Sequence, residues 1–347
     1  MTDQLPFVQI DGSEGEGGGQ ILRSSLALAA SLGRPFRIAR IRAQRPKPGL
    51  MRQHLTAVEA AAAICNAQVR GASVGSSDLE FIPGTLRGGA FRFSIGTAGS
   101  TTLVMQAILP ALMFAPEPSE VIIEGGTHAR WAPPYDFFER ALLPALRAMG
   151  PRLEPTLERY GFYPAGGGRL RVNVAPAPPV ALRLETRPEI TTRRVRVLIA
   201  KIPHDIALRE IGVLRQRLGW EITNSDITAV ADSVGPGNAV SVDVGFGAFA
   251  EVFSEIGDIG KPAEGVARAA ADAALAYIAS GVPVGPHLAD QLMTPMAIAA
   301  SRGSGECSFV TGPLTRHAQT NTDVIAKFVG AVPRVERDGE RVRWSVG

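Results

Sequence analysis

The amino-acid sequence predicts an α+β protein with a large domain of repeated units and a smaller inserted βαββα domain. Two observations carry that prediction. A strand, a loop of small residues and an apolar helix recur at least three times, and between Leu184 and Gly281 the texture changes to a compact βαββα pattern. The length agrees, since 347 residues suit one large domain with an insert, or two domains. With 45% apolar and 20% charged residues, composition excludes disorder and a fibrous repeat.

The first copy reads as a strand over 7–10, a Gly-rich loop over 12–19 and a helix over 20–31. Its Ile21, Leu22, Leu26, Leu28 and Ala29 fit a helix packed on a sheet. A strand over 36–43 and a helix over 53–66 follow, then a strand pair near 79–82 and 89–95. In the second copy the strand over 91–95 leads through Gly96-Thr97-Ala98-Gly99-Ser100 into a helix over 103–114, where Pro110 should kink the axis. The third copy is the loop Val284-Gly285-Pro286, then His287 to Gln291 and the apolar helix over 292–300. The insert reads as a strand over 194–200, a helix over 204–218, strands over 227–230 and 239–244, and a helix over 262–280. Pro188 and Pro283 bound it, so the expected domains are 1–186 with 283–347, and 187–282. No crowded set of charged or nucleophilic residues falls in the insert, which is expected to be accessory.

Two cysteines, Cys65 and Cys307, without a CxxC or Cys/His cluster speak against a zinc site or a disulfide framework; they read as small buried apolar residues. No apolar run reaches the roughly 18 residues of a membrane span. Met1-Thr2-Asp3-Gln4 shows no secretory signal, so a cytoplasmic protein is expected. The net charge of +3 implies no nucleic-acid partner by itself. Its placement says more. Arg34, Arg37, Arg40, Arg42, Arg45, Lys47 and Arg52 fall in one window with no acid. A solvated basic loop is one reading; a track for a phosphate-rich ligand is the other, since guanidinium forks bind phosphate oxygens. Arg40 and Arg42 share one face of the strand predicted over 36–43.

Four motifs could carry chemistry. Asp11 to Gln20 is Gly-rich and precedes a helix, which suits an anion, yet it lacks the Walker Lys and dinucleotide spacing. Its glutamates would repel phosphate unless a divalent metal lay between, so Glu16, with Glu14 second, is a candidate ligand for Mg²⁺ or Mn²⁺; a solvated acidic turn is the alternative. The stiff Arg45-Pro46-Lys47-Pro48-Gly49 segment presents cations ahead of a helix whose first turn holds His54, a surface capping residue on the plainer reading. His128-Ala129-Arg130-Trp131-Ala132-Pro133-Pro134 is either a structural turn or a wall for a planar ligand. Finally His317, in Thr315-Arg316-His317-Ala318-Gln319-Thr320, sits in a polar strand-to-helix junction and is the best-presented nucleophile.

Taken together, GSEGEGGGQILRSSLALA, RPKPGLMRQHLTAV, GTAGSTTLVMQAILPAL, YGFYPAGGG, HLADQ and RHAQTNTDVIAKF resemble the RNA 3′-terminal phosphate cyclase family, from about Ile10 to Val329. The resemblance implies three repeated units, each of two helices on a four-stranded sheet, with the smaller domain inserted within the third. It implies ATP-dependent conversion of an RNA 3′-phosphate to a 2′,3′-cyclic phosphodiester through a histidine–AMP intermediate and an RNA adenylate. By the same resemblance His317 would be the nucleophile. Gln106, His287, Leu288, Ala289, Asp290 and Gln291 would contact ATP, with Asp290 close to His317. Glu16 would serve nucleotide and metal, and Arg23, Arg42, Arg45 and His54 would form the 3′-phosphate pocket. The family often carries Tyr where His287 stands. Two other readings compete: a non-catalytic cyclase-like protein of ribosome biogenesis, against which His317 and Glu16 stand, and an enolpyruvyl transferase on a similar repeated fold, against which the six blocks stand.

Overall fold

The computed structural model describes residues 5–330 and 332–347; residues 1–4, on which the secretion reading rests, lie outside the described residues. The chain opens with β1 (Val8–Asp11), α1 (Gly19–Leu32), β2 (Phe36–Ala39), α2 (Arg52–Cys65), β3 (Gln68–Arg70) and β4 (Leu79–Ile82). They give a sheet of order β1-β2-β4-β3, parallel between β1 and β2 and antiparallel elsewhere. The pattern repeats with β5 (Gly89–Ser94), α3 (Thr101–Leu112), β6 (Ser119–Gly125), α4 (Tyr135–Phe137), a π-helical turn (Phe138–Leu142), α5 (Leu143–Arg147), β7 (Arg152–Arg159) and β8 (Gly168–Ala175). The second sheet runs β5-β6-β8-β7 with the same orientations.

The third copy starts at β9 (Arg183–Leu184) and is interrupted by β10 (Thr192–Ala200), α6 (His204–Leu218), β11 (Ile227–Ala229), β12 (Gly237–Phe246), β13 (Phe249–Ile256) and α7 (Ala263–Ser280). These form a fourth sheet, β11-β10-β12-β13. The chain then returns through α8 (Pro286–Ser301), β14 (Cys307–Thr311), α9 (Arg316–Phe328), β15 (Arg334–Asp338) and β16 (Arg341–Val346). The third sheet, β9-β14-β16-β15, again pairs its first two strands in parallel and the others antiparallel. The repeat also survives in sequence: Gln106 and Gln291 occupy the sixth positions of α3 and α8, and Pro110 and Pro295 the tenth.

Apolar character explains the layering. In α1 every residue from Ser24 to Ser31 is buried, so the helix has no solvent face. It packs against α2, α3, α8 and α9 and forms the hub of the three units, rather than covering one sheet. One continuous core runs through all three sheets and includes Phe36, Phe81, Val104, Leu143, Leu292, Phe309 and Trp344. A second core, with Val197, Ile211, Leu214, Val242 and Ala270, belongs to the fourth sheet and its helices. Cys65 and Cys307 are free and buried.

Three local expectations change. The strand over 36–43 stops at Ala39, where its partner β1 also ends, and Arg40 and Arg42 turn the chain with φ of 57° and 56°. They therefore share no strand face. The segments near 79–82 and 89–95 are β4 and β5, which lie in different sheets. The inserted unit has one strand more than βαββα, namely β13, reached by a tight reversal in which Gly247 takes φ 56°. A glycine between two alternating runs is the hairpin signal that the βαββα reading passes over.

Candidate active site

The N-termini of α1, α8 and α9 converge, and α3 joins them one turn deeper. The Gly-rich loop ahead of α1 works by what its glycines lack. A Cβ on Gly19 would stand 2.8 Å from His54 Cδ2 and 3.3 Å from Arg23 Nη1, and one on Gly18 would stand 2.8 Å from Arg45 Nη2. Side chains at 18 and 19 would expel the imidazole and the guanidinium, so the loop's composition is what lets the basic loop approach α1.

His317 stands at the second position of α9, just after Thr315, whose hydroxyl accepts the N–H of Ala318 at 3.0 Å. Its side chain is 49% exposed, open to a ligand. Nδ1 lies 2.6 Å from Gln20 Oε1 and also against Glu16 Oε2. In this orientation the Gln20 amide nitrogen donates to Asp290 Oδ1. Both neighbours of Nδ1 present oxygen atoms, an arrangement suited to the tautomer that carries its proton on Nδ1 and its lone pair on Nε2. Asp290 therefore reaches His317 through Gln20. Burial raises the Asp290 carboxyl above its ordinary range, with His317, Gln20 and Arg23 opposing. Asn321 donates to the Asp290 backbone oxygen at 3.1 Å and accepts from Ser24 at 2.7 Å, which locks α8, α9 and α1 together.

Arg23 donates from Nε to Gln106 Oε1 at 3.3 Å, and the Gln106 amide nitrogen donates to Gln291 Oε1. Burial lowers Arg23 to about 10, opposed by Asp290 and Glu16, which leaves it a cation near neutrality. His54 is buried, not a surface residue. Its Nδ1 accepts the Met51 N–H at 3.3 Å, so the capping reading is also right, and Nε2 faces the Gly19 backbone. Burial, then Arg23 and Arg42, lowers its pKa to about 3, so the ring is neutral. Arg42 spends Nη1 on the carbonyls of Lys47 and Gly49 at 2.7 and 2.8 Å, closing the basic loop on itself. Its pKa is lowered by burial and by neighbouring Arg45. Arg45 pairs with Glu16.

Arg45 and His54 thus lie against the Gly-rich loop, with Arg42 near both, while Arg23 lines one cavity with Gln20, Gln106, Asp290 and Gln291 and links the two groups. Other members of the basic track are engaged elsewhere: Arg37 pairs with Glu80 at 2.7 Å and Arg40 with Asp11, whose carboxyl is held well below its usual range mainly by that arginine. On α8, His287 is exposed. Leu288 and Ala289 point into the core, so only their backbone is available to a ligand. Glu14 pairs with Lys327 at 2.7 Å and takes no part in this cluster. No group of three or more His, Cys, Asp or Glu side chains suited to a metal occurs among the described residues. Glu16 Oε2 is nevertheless buried without a well-directed hydrogen bond.

The loop before α4 is a structural join. His128 is fully buried, with Nε2 2.8 Å from Asp136 Oδ2, while Asp136 Oδ1 pairs with Arg140 at 2.9 Å and with Arg196 of β10 at 3.1 Å. Trp131 stands 91% exposed beside it.

Sequence reasoning did not single out Gln20, Ser24 or Asn321. A signal existed for the first two: Gln20, Arg23 and Ser24 share one helical face directly after the Gly-rich loop.

A family model described as RNA 3′-terminal phosphate cyclase matches residues 14–335. The chain belongs to the RNA 3′-terminal phosphate cyclase family. It is an enzyme of that family. Among its relatives, the RNA 3′-terminal phosphate cyclase of Koribacter versatilis (strain Ellin345) is 46% identical over 94% of this chain and 90% of its own length. Those of Ectopseudomonas mendocina (strain ymp) and Ralstonia nicotianae (strain ATCC BAA-1114 / GMI1000) are 45% and 46% identical, over 97% and 98% of this chain and 96% and 97% of theirs. Among solved structures, the enolpyruvyl transferase NikO from Streptomyces tendae aligns with 48% of this chain and 33% of its own at 20% identity and a TM-score of 0.27, too remote to bear on fold or function. Among the described residues no helix is long and apolar enough to cross a membrane.

Proposed function

We propose that this cyclase-family member converts RNA 3′-phosphate ends to 2′,3′-cyclic phosphodiesters with ATP, through a covalent AMP on His317. The observation that carries the reading is the pair of acceptors on His317 Nδ1, which leaves Nε2 as a lone-pair nucleophile. Nε2 attacks the α-phosphorus of ATP and pyrophosphate departs. Glu16 and Gln20 stabilise the proton on Nδ1 as the ring gains positive character. A 3′-phosphate oxygen of the RNA then displaces the imidazole from phosphorus. The adjacent 2′-OH attacks the activated 3′-phosphorus, AMP leaves and the ring closes; this step is intramolecular, so positioning supplies much of its rate.

In this reading Gln106, His287, Asp290 and Gln291 contact ATP, joined by the backbone of Leu288 and Ala289. Arg23, Arg42, Arg45 and the neutral Nε2–H of His54 take the 3′-phosphate: three fixed positive charges and one uncharged donor for a dianionic group. A divalent cation, Mg²⁺ or Mn²⁺, would be held by Glu16 together with phosphate oxygens and water, and would neutralise charge there. Glu16 Oε2 is buried and touches His317 Nδ1 without a well-directed hydrogen bond, so it keeps a lone pair for that role. Residues 187–282 are taken as the inserted domain, a division supported by their separate core.

The test is incubation with ATP labelled at the α-phosphate plus a divalent metal. Acid-labile, alkali-stable label on the protein, absent from His317→Ala, is expected; equal label on that variant refutes the mechanism.

A further inference from the structure

The inserted unit was expected to be accessory, yet one of its side chains reaches the helix that carries His287, Asp290 and Gln291. Glu251 on β13 is 2% exposed, and its Oε1 accepts the backbone N–H of Gly285 at 2.5 Å. Gly285 precedes α8 and brings no capping side chain, and Pro286 removes a further donor. A Cβ at residue 285 would stand 3.0 Å from both the carboxyl carbon and Oε2 of Glu251. The glycine is therefore what admits the carboxyl group. The position of Glu251 is itself fixed, by pairing with Val244 across β12 and by Val252 beside it, which is packed in the core of the three repeated sheets. A second tie comes from α7, where the Tyr277 hydroxyl donates to the Pro283 carbonyl at 3.1 Å. The segment entering α8 is thus held twice from the inserted unit.

We infer that Glu251 is a positioning residue for the nucleotide half of the site: it sets where α8 begins, and hence where His287, Asp290 and Gln291 stand. The inference rests on the proposal that these α8 residues contact ATP. Burial pushes the Glu251 carboxyl up to about 8, with the Gly285 N–H opposing, so near neutrality glutamine is its uncharged isostere and retains an accepting oxygen.

The experiment uses the full chain as wild type, Glu251→Ala, Glu251→Gln and Gly285→Ala, with folding verified by thermal melting. Label uptake from α-labelled ATP is followed against ATP concentration. Glu251→Ala and Gly285→Ala should raise the half-saturating ATP concentration about tenfold with maximal rate held within about threefold, and Glu251→Gln should return to within about threefold of wild type. Gly285→Ala keeps the carboxyl group on the chain but displaces it from the other side, so it decides the matter if Glu251→Ala does not fold. Folded variants with wild-type ATP dependence overturn the inference, as does a Gln variant as impaired as the Ala variant. A wild type that takes no label removes the functional reading and this inference with it, whereas a labelled wild type beside unaffected variants refutes the inference alone.

Discussion

Replacing Gln20 with leucine isolates the acceptor that holds the His317 proton. The side chain lies 2.6 Å from Nδ1 and donates to Asp290, so leucine preserves bulk on α1 while cutting the chain at its middle. Glu16 still lies against Nδ1 in the variant, so one acceptor remains and the loss should be partial. A hydrogen bond to a group that becomes charged is worth about 1.5–3 kcal/mol. Since the imidazole gains its charge in the displacement, the rate of label uptake should fall by about 10- to 100-fold at saturating ATP. Combining Gln20→Leu with Glu16→Ala removes both acceptors, and the fall should then approach about 10⁴-fold, the scale of a catalytic histidine left in the wrong tautomer. Rapid quenching of labelled protein gives the rate directly. A folded Gln20→Leu protein that labels at the wild-type rate under saturating ATP would refute the tautomer argument.

Gly19→Ala should displace the His54 ring, lowering RNA-end turnover and costing about 1–3 kcal/mol in a denaturant melt; unaltered turnover would show that the contact is not needed. Arg42→Ala should weaken RNA-end turnover more than self-adenylylation, although it also frees the carbonyls of Lys47 and Gly49; equal loss in both assays contradicts a 3′-phosphate role. For His54 the folded pKa of about 3 lies below the ordinary 6.5, so the unfolded chain takes up its proton first. The stability it contributes is complete above about 6.5 and is lost as pH falls toward 3. His54→Gln should therefore show a shallower loss than wild type in that window, and parallel stability curves would count against a buried neutral ring.

The sequence by itself determined the repeated unit and the family to which it belongs. The apolar spacing of Ile21, Leu22, Leu26, Leu28 and Ala29 and the glycines of the 12–19 loop act within a few residues, so they are legible before any folding. The residues of the candidate site were named from motif blocks that sit at loop-to-helix junctions. Which partner each side chain takes was decided only by tertiary structure. Gln20 and His317 are separated by 297 positions, and Gln20 and Asp290 by 270. Arg42 folds back onto its own loop and Glu14 goes to Lys327 rather than to a ligand, while Glu251 crosses from the inserted sheet to α8. The physical reason is reach. Backbone preference and hydrophobic period are local properties of a chain, whereas a hydrogen bond a few ångströms long exists only after the packed core has carried distant segments to one place.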